Sequence, residues 1–127
     1  MGIVSAFSLV AVLAAPPAAA PPSGEDLFKT YCASCHGQTG KGDGVMAPHL
    51  RFRPADLTLI ARRRAGRFDT DEVRKIVDGR EPVASHGGTE MPVWGDAFKI
   101  PSERYSEKTA QTRIRALVDY LKSIQAK

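Results

Sequence analysis

The chain has 127 residues, a formal net charge of +4 at pH 7 and two cysteines. That length holds one small domain with a leader rather than two domains. Every charged residue lies beyond Pro22, and Ile3 to Ala15 is almost wholly apolar, a run shorter than the about 20 residues that span a bilayer comfortably. It reads as the apolar region of a secretory signal ending in small residues at Ala18, Ala19 and Ala20. The absence of Lys and Arg before it and the position of Pro21 directly after Ala20 keep an uncleaved N-terminal anchor as the alternative, with Ala14 as another cleavage candidate. The expected organisation is therefore a signal or anchor over 1–20, a linker over 21–24 and a domain over 25–127. An exported domain leaves no place for nucleic acid as a partner.

The first predicted helix runs from Gly24 to Cys35. Leu27, Phe28 and Tyr31 form its apolar stripe, Ser23 is its N-cap, and Glu25 and Asp26 suit the positive end of its dipole. It leads into Cys32-Ala33-Ser34-Cys35-His36, a Cys-x-x-Cys-His pentapeptide that uses both cysteines of the chain. This is the attachment signature of a c-type haem: two thiols on one helical turn reach the two vinyl groups, and the histidine is an axial ligand to iron. A thioredoxin-like motif would want a βαβ context that this sequence lacks. A structural zinc site would have to recruit both His49 and His86. A short-loop disulfide leaves His36 unexplained. A domain of about 100 residues has a thin core, so a buried haem would supply much of the missing apolar surface.

A glycine-rich loop follows, with Gly37, Gly40, Gly42 and Gly44 permitting tight reversals. Ala55 to Ala65 reads as a short helix ended by Gly66. Around it Arg51, Arg53, Arg62, Arg63, Arg64 and Arg67 are opposed by Asp56 alone, so this stretch carries a net +5 and the rest of the chain −1. It is either a solvated face or a docking patch for an acidic redox partner, with Arg51 or Arg53 available to haem propionates. Asp69 and Glu72 suggest a capping box for a helix over Thr70 to Asp78, stopped by Gly79. A loop from Arg80 to Pro101 carries Met91 and Trp94. The last helix spans about Ser106 to Gln125, with Ala110, Ile114, Leu117, Val118, Leu121 and Ile124 on one face. No strand pattern persists, and the fold class is all-α.

The residue opposite His36 decides the chemistry, and Met46, His49, His86 and Met91 are the candidates. Met91 lies in a loop stiffened by Pro92 and punctuated by glycines, long enough to cross a haem face. His86 is its rival; Met46 suits packing, and His49 suits solvent or a propionate. A methionine thioether would favour the ferrous state and close the site, whereas an open face would permit oxygen or peroxide chemistry.

On these residues the chain resembles the class I c-type cytochromes, specifically small bacterial monohaem proteins with a Met-Pro-x-Trp-Gly ligand loop, here Met91 to Gly95. The resemblance covers about Gly24 to Gln125 and implies N- and C-terminal helices that cross, with short helices and loops around one haem c held by Cys32 and Cys35. Gly24 and Phe28 match first-helix positions that contact the last helix, and Leu117 and Tyr120 match their partners. The resemblance implies that the Pro48 carbonyl accepts from the second ring nitrogen of His36, that Leu50 packs beside it, and that Met91 is the axial methionine. Trp94 is either a core aromatic beside the haem or a propionate contact. Arg80 to Thr89 is longer and more polar than the family pattern, and Phe98 to Ser106 replaces a short turn. The implied function is a periplasmic, monomeric single-electron carrier that meets redox proteins through acidic surfaces and touches the membrane only through an uncleaved leader. The alternatives are a haem enzyme or gas-binding protein with a displaceable sixth ligand, or a subunit of a larger dehydrogenase or oxidase.

Overall fold

The computed structural model describes residues 20–80, 91–99 and 107–127, and all regular structure among them is helical. Residues 1–19 of the expected 1–20 leader, His86 and the start of the last helix at Ser106 lie outside the described residues. The α-helices are α1 (Gly24–Tyr31), α2 (Ala33–His36), α3 (Thr70–Asp78), α4 (Trp94–Ala97) and α5 (Glu107–Ser123), with three-residue 3₁₀ turns at Ala47–His49, Leu57–Leu59 and Arg62–Arg64. Among the described residues no helix is long and apolar enough to cross a membrane.

Helix α1 begins at a reciprocal capping box. The Ser23 hydroxyl accepts from the Asp26 N–H, and the Asp26 carboxylate accepts from Ser23, which satisfies donors that a helix start leaves unpaired. The predicted single helix from Gly24 to Cys35 is interrupted at Cys32, where φ of −112° loosens the turn before α2 resumes. Helix α1 crosses α5 at close range. A side chain on Gly24 would overlap the Ala116 carbonyl, and four residues on, Phe28 is fully buried with its ring 5.3 Å from that of Tyr120. Leu27, Val73, Val77, Phe98, Ile114, Leu117, Val118 and Leu121 complete the core between α1, α3, α4 and α5. The crossing implied for the two end helices is present at the predicted residues.

Helix α3 has the expected bounds, with the Asp69 carboxylate accepting from the Glu72 N–H and Gly79 ending it in the left-handed region. The stretch from Ala55 to Ala65 is not an α-helix. The Gln125 side chain inserts itself where the helical bond between residues 57 and 61 would form: its amide donates to the Leu57 carbonyl at 2.8 Å, and its oxygen accepts from the Ala61 N–H at 2.9 Å. Asp56 meanwhile takes the Thr58 N–H and hydroxyl. With these backbone groups occupied, the chain forms two 3₁₀ turns that end at Ala65, with φ of 53°. The loop expected over 80–101 contains the one-turn helix α4.

Candidate cofactor site

The α1–α2 turn, the Leu50–Leu57 segment, α3, α5 and the Met91–Trp94 segment together enclose a cavity of about 770 Å³. That volume lies in the range of binding sites for cofactor-sized molecules, about 300–1,000 Å³. Cys32, Cys35 and His36 line it, facing an apolar wall built from Leu57, Val73, Val77, Leu117 and Leu121. Cys32 is buried, and burial, reinforced by neighbouring Cys35, pushes its thiol up to about 12. It is therefore a neutral thiol rather than the reactive thiolate of a redox Cys-x-x-Cys pair. Among the described residues no three His, Cys, Asp or Glu side chains converge on a metal position, so they do not build a structural zinc site.

His36 is oriented by the loop that follows it. Its Nδ1 lies 3.0 Å from the Ala55 carbonyl oxygen, a bond that requires the proton on Nδ1 and leaves the lone pair on Nε2, the form that ligates a metal. The family resemblance placed the Pro48 carbonyl at this nitrogen; the structure puts Ala55 there instead. The reason lies in the glycine loop. Gly42, at φ of 76°, sits so close to the Pro54 carbonyl that any side chain would overlap it. Its N–H donates to the His36 carbonyl at 2.8 Å, and the Leu57 N–H donates to Gly40 at 2.6 Å. These contacts draw Pro54–Leu57 against the histidine. Pro48 is exposed within its 3₁₀ turn and does not line the cavity, whereas Leu50 does.

Of Met46, His49 and Met91, it is Met91 that lines the cavity; Met46 is 44% exposed, and His49 is exposed on the Ala47–His49 turn. Trp94 also borders the cavity, and its ring joins those of Tyr31 and Phe98 at centroid distances of 5.5 Å to each. Tyr31 and Phe98 are themselves 5.3 Å apart. These three rings seat α4 against α1 and belong to the aromatic cluster of the core.

The arginines divide. Arg53 lines the cavity; Arg51 is exposed, is not itself a lining residue, and stacks at 5.1 Å over the ring of Phe52, which is one. Arg63 and Arg64 line it as well, Arg63 donating to the Asp56 carbonyl at 2.7 Å and Arg64 pairing with Glu72. Sequence reasoning treated these two only as part of a basic stretch, because the 3₁₀ turns that aim them depend on Gln125, more than 60 residues away. Ala55 was missed for a related reason: it acts through its carbonyl, and a side-chain motif does not register a backbone acceptor. Two thiols on one turn, a histidine held by its Nδ1, a methionine and cationic groups on an apolar cavity fit a haem bearing two carboxylates.

The family model described as "Cytochrome C oxidase, cbb3-type, subunit III" matches residues 19–121. No curated protein and no solved structure matches the chain.

Proposed function

The chain belongs to the cbb3-type cytochrome c oxidase subunit III family, a family of c-type cytochromes, and from that premise we propose that it carries single electrons on one haem, attached through Cys32 and Cys35 and ligated by His36 and Met91. The observation that carries this reading is the common cavity: the thiols, the oriented imidazole and the Met91 side chain all line one apolar enclosure. When bound, the haem supplies a one-electron iron couple. Ala55 holds the His36 proton at Nδ1 and keeps the ring basic towards the metal. Met91 would offer the iron a thioether, a donor that favours the reduced state. Arg53, Arg63 and Arg64 offer cations to the propionates. The other lining residues named above are apolar and exclude water, which limits the reorganisation that accompanies electron transfer.

The basic stretch from Arg51 to Arg67 suits weak, charge-steered encounter with an acidic redox protein. The family description is that of an oxidase subunit, which supports a second reading of the same site, a cytochrome that works as part of an oxidase complex. In both, the leader over 1–20 exports the domain or anchors it.

Carbon monoxide separates the carrier from a gas-binding or catalytic haem protein. The reduced holoprotein at neutral pH is expected to leave carbon monoxide unbound, with haem retained by the polypeptide after denaturation. Rapid, stoichiometric carbon monoxide binding would overturn the closed-site reading, and haem released on denaturation would overturn attachment through the cysteines.

A further inference from the structure

Asp78, at the end of α3, is a charged residue in the buried core, 8% exposed. Its carboxylate accepts from Arg80 Nε and Nη2 at 2.5 and 2.6 Å and from Gln111 Nε2 of α5 at 2.9 Å. The same guanidinium makes a second fork, to both oxygens of Glu107 at the start of α5, at 2.8 and 2.9 Å. Lys99, just past α4, reaches Glu107 at 3.1 Å and Asp96 at 3.5 Å. Burying one partner of an ion pair is a poor choice if the task is cohesion alone, since an apolar residue of similar volume serves as well or better. What a doubly bidentate arginine supplies is fixed geometry.

That geometry bears on one short piece of chain. Gly95 lies against the Asp78 carboxylate and Arg80 Nε so closely that a side chain there would overlap both. Gly79 likewise abuts Val93, where an added Cβ would come within 3.3 Å of the Val93 Cα. Helix α4 is a single turn and cannot sustain itself in isolation. Its Gly95 packs against the charged network, and its Trp94 ring packs against those of Tyr31 in α1 and Phe98 at its own C-terminal end. Met91 stands two residues before Val93 and four before Gly95.

We propose that Arg80 is a positioning residue for Met91: by tying α3, α4 and the start of α5 together beneath Gly95, it holds the Met91–Phe98 segment in place and sets how readily an outside ligand displaces the thioether from iron. The inference rests on Met91 being the sixth ligand. It assigns Arg80 no contact with the haem or with substrate.

The test is an imidazole titration of the ferric holoprotein, followed optically, in the native chain and in Arg80→Gln, Arg80→Lys and Glu107→Gln. Arg80→Gln removes charge-assisted hydrogen bonds, so imidazole should bind roughly tenfold more tightly, with the far-ultraviolet helix signal unchanged. Arg80→Lys keeps the charge without the fork and should recover part of the native resistance. Glu107 is exposed, so Glu107→Gln is expected to fold, and it should shift affinity the same way by roughly threefold. Unchanged imidazole affinity in Glu107→Gln and in folded Arg80→Gln, with only the melting temperature lowered, would make the network a plain structural staple and overturn the proposal. A native ferric protein without the far-red band of methionine-ligated iron would instead overturn the ligand assignment beneath it.

Discussion

At the scale of single residues, the site depends on atoms that carry no side-chain chemistry. The bond that orients His36 comes from the Ala55 backbone, and its geometry depends on Gly42 having no side chain. Gly42→Ala would cost about 1–2 kcal/mol for the left-handed backbone alone and would push Pro54 and Ala55 off the imidazole. A less basic His36 stabilises ferric iron less, so a redox titration of Gly42→Ala should give a higher reduction potential than the native chain. An unchanged or lower potential would contradict this role for Ala55. That Cys32, Cys35 and His36 share one site was legible from spacing, because haem attachment would demand those residue types at those intervals. That Met91 lines the same cavity follows the preference for its Pro-stiffened loop over His86 on the residues alone, a preference the resemblance strengthens. The orienting carbonyl was not legible, and a proline at the familiar distance, Pro48, pointed to the wrong one.

At the scale of elements, α3 and α5 were readable because their apolar period and capping residues agree with the tertiary contacts they make. The stretch over Ala55–Ala65 was not, because Gln125 takes its backbone groups from afar. Nor was α4, whose one turn is held by the Tyr31 ring of α1 and by charged groups at the end of α3 and the start of α5. The charged part of that grip has a pH signature. The Arg80 guanidinium, aided by Gln111, holds the Asp78 carboxyl below its ordinary 3.8, and Arg80, Gln111 and Lys99 hold Glu107 below its ordinary 4.5. Groups with depressed native pKa values stabilise the fold fully above their unfolded values and lose that contribution as pH falls through the native ones. Denaturant midpoints should therefore hold steady from about pH 7 to pH 5 and fall below about pH 4.5, and Arg80→Gln should fall less steeply. Parallel acid curves for the native chain and Arg80→Gln would remove the network as the cause.

At the scale of the whole molecule, a short helical chain spends much of its interior on a cavity. Five of the buried core residues, Cys32, Val73, Val77, Leu117 and Leu121, also line the cavity of about 770 Å³, so the cofactor site and the fold share one core. The all-α class could be read from helical periodicity, and the crossing of the end helices followed from the resemblance, with Gly24 and Phe28 meeting Tyr120 as it implied. The distribution of the arginines between cavity wall and open surface could not, because it follows from three-dimensional turns rather than from the charge run. A haem closed on both faces by His36 and Met91 has a ferric optical signature of its own. The native chain and His86→Ala should both show the weak far-red band of methionine-ligated iron, and Met91→Ala should lose it. Absence of the band from the native chain, or its survival in Met91→Ala, would contradict ligation by Met91.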